Sequence, residues 1–280
     1  MEFLQPATWS EALEMRAAHP EAVPIAGGTD VMVEVNLDHR RPEAVMDLTR
    51  VSELTEWGAA DGLLRIGAGV SYTRIIDELG DRLPGLAMAS RTVGSPQIRN
   101  RGTVGGNLGT ASPAGDAHPP LLASDAQVEL ASKSGVRHVP VREFFTGPKK
   151  NAMRPDELIA AFLIEPASGG QQFSKVGTRN AMVIAVCSFA LALDPARKRV
   201  GTGIGSAGPT PLRAAEAEEF IQGELDWEGR RAPSEATARR FGELVAAAAN
   251  PIDDVRGTAG YRRHALSVMA RRCLRWACEA

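Results

Sequence analysis

The sequence predicts an α+β protein made of a mixed amino-terminal domain and a smaller carboxy-terminal one. Three features predict this. The first 55 residues alternate helix and strand signals as a compact α/β unit. A segment rich in Pro, Ser and Gly, EPASGGQQ at 165–172, lies between apolar strands and reads as a linker. Beyond it, three strand candidates precede three helical stretches, the order expected of an α+β domain. The boundary falls near residue 168. The domains are then 1–168 and 169–280, the first with lobes of about 1–55 and 56–168.

Each element has a local reason. Thr8 to Glu11 has the capping-box pattern ahead of the helical stretch SEALEMRAAH. AVPIA reads as a strand, Gly27-Gly28 as a turn, VMVEV as an apolar stretch and AVMDL as a further strand. LLRIGAG is a strand and YTRIIDELG a helix; from there through Gly109 the chain reads as loop-rich backbone. QVELAS and VRHVPV are strands joined at Ser134-Gly135, a hairpin signal, and DELIAAFLI is another strand. In the second domain FSKVGT, MVIAVCSFALALD and VGTGIGSAG are strands. PLRAAEAEEFIQG, SEATARRFGELVAAAAN and TAGYRRHALSVMARRCLRWACEA are helices.

Composition narrows the classes of function. With 280 residues, 44% hydrophobic, the chain can bury a substantial core. A net charge of -2 gives the whole molecule no attraction to nucleic acid or an acidic membrane. The apolar run from Ala181 to Leu193 is interrupted and ends at Asp194-Pro195, short of the roughly 18 to 20 residues a membrane helix needs. The start, MEFLQPATWSEAL, lacks the basic-then-apolar pattern of a secretory signal, so the expected location is cytoplasmic. Cys187, Cys273 and Cys278 form an odd set without CxxC spacing. That argues against a disulfide framework, a zinc knuckle or an iron–sulfur cluster held by this chain alone. Cys187 in VIAVCSFALAL reads as core.

Two glycine loops stand out. In Ile25-Ala26-Gly27-Gly28-Thr29-Asp30, two glycines after an apolar strand allow a sharp turn with N–H groups close to a ligand. Thr29 adds a hydroxyl, and Asp30 can brace the turn by accepting N–H bonds. Alone, such a loop is usually just a turn. The second, Ile98 to Asp116, places four glycines within residues 102–109, interleaved with Thr103 and Asn107. It has too few apolar side chains for core, and its N–H groups suit either a bound anion or an irregular surface loop. Neither loop has a Walker lysine or the GxxxxGK[ST] spacing, which disfavours a nucleoside triphosphatase; a pyrophosphate held by backbone amides fits better. Gly203-Ile204-Gly205-Ser206-Ala207-Gly208 matches GxGxxG literally. Pro209 and Pro211 follow where a dinucleotide-binding helix should begin, so it reads as a glycine-rich strand end.

With both loops in view, AGGTD at 26–30 and TVGGNLGTASPAGD at 103–116 resemble the two FAD loops of the medium subunits of molybdenum hydroxylases. FLQPATWSEAL, IGAGVSYTRI, RPDELI, FSKVGTRNAMVIA and GPTPLRAAEAE extend the likeness over essentially the whole chain. The resemblance implies a two-lobed PCMH-type (vanillyl-alcohol-oxidase-like) FAD-binding domain, followed by a smaller α/β domain of the CO-dehydrogenase-flavoprotein type. It further implies that Ile25, Ala26, Gly27, Gly28, Thr29, Asp30, Val31 and Met32 hold the pyrophosphate, with Thr103, Val104, Gly105, Gly106 and Asn107 on its other side. Asp116 would bind FAD, Ser112 would lie near the flavin end, and Val93 would pack on the cofactor. Lys175 matches an FAD-contacting lysine. Ile159 matches an apolar contact, although DELIAAFLIEP is one residue longer than the pattern.

The same resemblance implies partners: a large subunit with molybdopterin cytosine dinucleotide and a small subunit with [2Fe–2S] clusters, as a dimer of heterotrimers. Electrons would reach FAD here and leave to NAD+, oxygen, a quinone or another carrier, with contact to a membrane only through the complex. No nucleophile–base–orienter set is legible, which fits redox chemistry carried by a flavin. Two rival readings are a self-contained FAD-dependent oxidase or dehydrogenase, and an assembly protein that keeps the fold without FAD. His118 could face the flavin, but the medium subunits that the chain resembles hold FAD non-covalently. Arg99 and Arg101 flank the second loop in structural or phosphate-neutralising positions. The arginines of RRHALSVMARRCLRWA read as a solvated face, with Leu274 and Trp276 as packing residues.

Overall fold

The computed structural model describes residues 1–229 and 231–279. Its first lobe comprises β1 (Glu2–Leu4), α1 (Trp9–Ala18), β2 (Val23–Ile25), α2 (Val31–Asn36) and β3 (Ala44–Asp47). The strands pair in parallel in the order β1-β3-β2, with Phe3 and Val23 both opposite Val45. Thr8 caps α1 by accepting the Glu11 N–H at 3.2 Å. The return bond of the capping box slips by one residue, Glu11 accepting from the Ala7 N–H at 2.7 Å. VMVEV becomes a helix, so the Gly27-Gly28 turn is a strand-to-helix turn.

The second lobe carries an antiparallel sheet in the order β4-β5-β10-β6-β7. Its strands are β4 (Trp57–Ala60), β5 (Leu63–Gly67), β6 (Gln127–Ser132), β7 (Gly135–Pro140) and β10 (Leu158–Ile164). Between β5 and β6 the expected loop-rich backbone is instead a chain of short helices: α3 (Tyr72–Leu79), α4 (Pro84–Arg91), α5 (Pro96–Arg101), α6 (Val104–Thr110) and α7 (His118–Ala123). The correction has a local cause. Ser71, Ser95 and Thr103 each accept an N–H of the first turn, and Pro84, Pro96 and Pro119 sit at first or second helical positions, where a missing N–H costs nothing. Val104 and Leu108 are fully buried, so the glycine-rich segment does contribute to the core. A short helix α8 (Val141–Phe144) and the ribbon β8 (Phe145–Gly147) with β9 (Lys150–Asn151) complete this lobe.

The carboxy-terminal domain follows its expected order. Strands β11 (Gln171–Val176), β12 (Cys187–Asp194) and β13 (Arg199–Gly205) form an antiparallel sheet, covered by α9 (Ala215–Glu224), α10 (Glu235–Ala248) and α11 (Ala259–Glu279). Helix α11 buries Arg262, Ala265, Leu266, Met269, Ala270, Cys273, Leu274 and Ala277, a stripe at three- and four-residue spacing. Arg262 departs from the solvated-face reading: it is 4% exposed, donating to Ser206 O at 2.6 Å and Asp254 Oδ1 at 2.5 Å. Trp276 is 45% exposed rather than packed, whereas Cys187 is buried as expected. Among the described residues, no helix is long and apolar enough to cross a membrane.

The two domains meet backbone against backbone. Helix α7 lies on β13, where a Cβ on Gly201 would fall 1.9 Å from Ala123 O and one on Gly203 2.0 Å from Pro119 O. This close approach accounts for Gly203 and Gly205 of the third glycine cluster, which belong to a strand beneath a helix. Asp125, just after α7, pairs with both Arg199 and Arg213 of the second domain. A Gly203→Ala substitution is expected to push α7 off β13 and cost about 2–3 kcal/mol of stability, read as a lower urea midpoint. An unchanged midpoint would show that the helix does not rest on this strand.

Candidate functional site

The strand-to-helix turn after β2 leaves a row of donors unused. The N–H groups of Gly27, Gly28, Thr29, Asp30 and Val31 find no acceptor among the described residues. Gly28 takes φ +74°, the left-handed region that glycine enters without steric cost. Successive free amides in such a turn make a concave site for an anion, and this one opens at the start of α2.

The second glycine segment closes on the first. A Cβ on Gly27 would lie 2.0 Å from Arg101 O, so only glycine allows these two backbones to touch. Thr103 caps α6 through the Gly106 N–H at 2.8 Å, and a Cβ on Gly106 would stand 3.9 Å from that of Ala26. Asp30 acts differently from expectation. It accepts no N–H of its own turn; its Oδ2 accepts the Thr110 hydroxyl at 3.1 Å, tying the first loop to the last turn of α6. Met32, two residues on, is 40% exposed beside the turn.

The chain after α6 folds back behind this junction. Asn107 holds it: its side-chain oxygen accepts the Ala117 N–H at 3.4 Å, and its carbonyl accepts from His118 Nε2 at 3.1 Å. Ser112 accepts the Ala114 N–H at 3.3 Å. His118 is wholly buried against Phe145, and burial pushes its pKa down to about 4, so the ring is neutral and structural. The fold thus turns His118 inward, two residues after Asp116.

Asp116 meets Lys175 of β11 across the domain boundary, Nζ to Oδ2 at 2.6 Å, with side chains only 11% and 6% exposed. Lys175 also donates to Thr92 O at 3.3 Å, at the end of α4. Burial raises the Asp116 pKa to about 6, and the Lys175 ammonium and Thr92 hydroxyl pull it back only partly. Its second oxygen, Oδ1, is buried without a partner, as are the Tyr72 hydroxyl and His118 Nδ1.

The remaining predicted residues lie at varying distance from this junction. Val93 directly follows α4 and packs partly on the main core; its carbonyl accepts from Arg99 Nη1 at 3.1 Å, which gives Arg99 a structural role. Ile159 is 8% exposed, and its Cδ1 lies 3.7 Å from where a Cβ on Gly109 would be. The pairing of β10 with β6 carries a register shift between Ile159 and Ala161. Tyr72 was not singled out from sequence. Only its place after the Ser71 cap, a helical position usually read as core, marked it.

Free amides in a row, a second loop in van der Waals contact and an unpartnered buried carboxylate oxygen fit a phosphate-bearing ligand with hydroxyl or amide donors. Residues 1–166 match the family described as the FAD binding domain in molybdopterin dehydrogenase, and 172–277 the CO dehydrogenase flavoprotein C-terminal domain. The chain belongs to this family of FAD-binding subunits of molybdenum hydroxylases. It is 32% identical over 278 residues to the xanthine dehydrogenase FAD-binding subunit of Escherichia coli O157:H7, covering 96% of this chain and 92% of that one. It is 33% identical over 235 residues to the nicotinate dehydrogenase FAD-subunit of Eubacterium barkeri, 79% of each chain. Among solved structures, a chain of carbon monoxide dehydrogenase from Hydrogenophaga pseudoflava superposes with a TM-score of 0.90 at 26% identity, over 99% of this chain and 96% of that one. The protein is therefore an oxidoreductase component with an FAD-binding domain, and its relatives are subunits of larger enzymes.

Breaking the Lys175–Asp116 pair from one side would leave a buried charge alone. Lys175→Met is expected to cost about 3 kcal/mol, and the double variant Lys175→Met/Asp116→Asn appreciably less than the sum of the singles. Denaturant titration of the four proteins measures this; strictly additive losses would mean the two groups do not interact.

Proposed function

We propose that the FAD pyrophosphate sits between the two glycine segments, held on one side by Ile25 to Met32 and on the other by Thr103 to Asn107. The observation that carries this is the run of free N–H groups from Gly27 to Val31, in a turn whose Gly27 touches the backbone of Arg101 and Gly102. Five amide donors can take a doubly charged diphosphate without a lysine, because each N–H supplies a fixed partial positive charge. Ser112 and Asp116 then line the groove further along, Val93 and Ile159 supply apolar contact, and Lys175 closes it from the second domain.

When bound, FAD supplies the exchange between one-electron and two-electron carriers that lets a molybdenum hydroxylase pass electrons out. The residues around it position the cofactor. Asp30 and Thr110 fix the spacing of the two loops, Thr103 holds the Gly106 amide, and Lys175 anchors Asp116 while joining the domains. Through the likeness to xanthine, nicotinate and carbon monoxide dehydrogenase chains, we assign the electron donor to [2Fe–2S] clusters on a small subunit. A large subunit with molybdopterin cytosine dinucleotide would oxidise the substrate, the whole assembling as a dimer of heterotrimers. NAD+, oxygen or a quinone is the class of acceptor this arrangement serves.

The test is flavin uptake by the intact protein. One FAD per chain is expected, with Gly27→Ala lowering affinity by about 100-fold, because its methyl group cannot coexist with Arg101 O. Circular dichroism of the variant controls for folding. Absence of flavin uptake by the unaltered protein, or uptake indifferent to Gly27→Ala, would overturn the assignment.

A further inference from the structure

Helix α2 carries the free-amide turn at its head, yet no buried side chain holds it down. None of its six residues is buried, Met32 and Val33 are exposed, and among the described residues none of its side chains joins the amino-terminal core. Two polar ties fasten it to the second lobe instead. Asp30 accepts the Thr110 hydroxyl at 3.1 Å, and one helical turn later Glu34 Oε1 accepts from Lys149 Nζ at 2.6 Å. Both partners are mounted at one place, the end of α6. The Lys149 N–H donates to Ala111 O at 3.1 Å, and Asn151 Nδ2 donates to Gly109 O at 3.0 Å. The Glu34–Lys149 pair therefore bridges the two segments that the pyrophosphate site joins.

Lys149 occupies an unusual place for a lysine. It is the second residue of the two-residue tip Pro148-Lys149 between β8 and β9, at φ +54°, where glycine fits without strain. Any residue with an N–H could make its backbone bond to Ala111; only the ammonium on Glu34 calls for this side chain. The pair is accessible, with the Glu34 side chain 26% and Lys149 62% exposed, so it opens and closes in solvent, unlike the buried Lys175–Asp116 pair. Arg40, 3.8 Å from the other Glu34 oxygen, follows α2 in the same lobe and cannot replace the tie across. We infer that Glu34 and Lys149 form a latch on the FAD site. Closed, it holds α2 and the turn at its head against the second glycine segment; open, it lets α2 lift and the diphosphate pass. Both residues act by positioning the turn. This rests on the Gly27 to Val31 amides holding the pyrophosphate as proposed above.

Such a latch acts on the lifetime of the bound cofactor. FAD leaves only from the open state, so a pair that must break first slows its release by the strength of the bond. For an accessible ion pair that is about three- to fivefold. Salt screens the pair, and at about 1 M the Debye length is only about 3 Å, so the effect fades there. Lys149→Gly removes the ammonium while giving the tip the residue its backbone favours. It therefore separates the role of the side chain from the stability of the hairpin.

The exchange rate of bound FAD for added isotope-labelled FAD tests this on the intact protein, Lys149→Gly, Lys149→Arg, Glu34→Ala and the double variant Glu34→Ala/Lys149→Gly. At low salt, Lys149→Gly should release FAD about three- to fivefold faster than the unaltered protein, and the ratio should fall towards one at about 1 M salt. Its thermal midpoint without FAD should stay within about two degrees. Lys149→Arg should restore slow release to within about twofold, and the double variant should release FAD no faster than the quicker single one. Unchanged release from Lys149→Gly, a ratio indifferent to salt, no rescue by arginine, or single effects that multiply in the double variant would each overturn the latch. No FAD binding by the unaltered protein would instead overturn the cofactor site itself.

Discussion

Everything in this site depends on one close approach, that of Gly27 to the backbone at Arg101 and Gly102. The distance leaves no room for a side chain, and it places a turn with five free amides against a second segment 75 residues later in sequence. The neighbouring features support that contact. Asp30 reaches Thr110 from one side of it, Thr103 holds Gly106 on the other, and Tyr72 fills the space beneath. The N–H groups of Gly27 to Val31, without an acceptor among the described residues, are left available to an anion.

The carboxy-terminal domain reaches the second glycine segment through one buried ion pair. It rests on α7 through glycines of β13 and on α4 through β11, and its Lys175 crosses to Asp116 and Thr92. The Lys175–Asp116 pair therefore ties the two domains together at the end of the second glycine segment. A buried ion pair of this kind gives little net stability, because desolvation offsets most of the attraction. Its value lies in fixing where the carboxylate points.

Much of this was legible in the sequence, for reasons particular to each element. Strongly apolar strands such as DELIAAFLI and MVIAVCSFALALD, the Ser134-Gly135 hairpin and the long helix from Ala259 follow from patterning alone. The helices between residues 84 and 110 were not legible, because they are short, rich in Gly and Pro, and depend on Ser and Thr caps more than on an apolar stripe. The glycine loops were recognisable as a pair. Their contact, the inward turn of His118 and the role of Asp30 were not, since each depends on residues far apart in the chain. Tyr72 reads as core from its position; only its unpartnered hydroxyl sets it apart.

Amide hydrogen exchange on the intact protein, with and without added FAD, tests the central claim most directly. The account predicts that FAD slows exchange at Gly27 to Val31, where no acceptor exists in the chain itself, while amides of 203–208 are unchanged. Protection that appears at 203–208 and leaves 27–31 exchanging freely would contradict it.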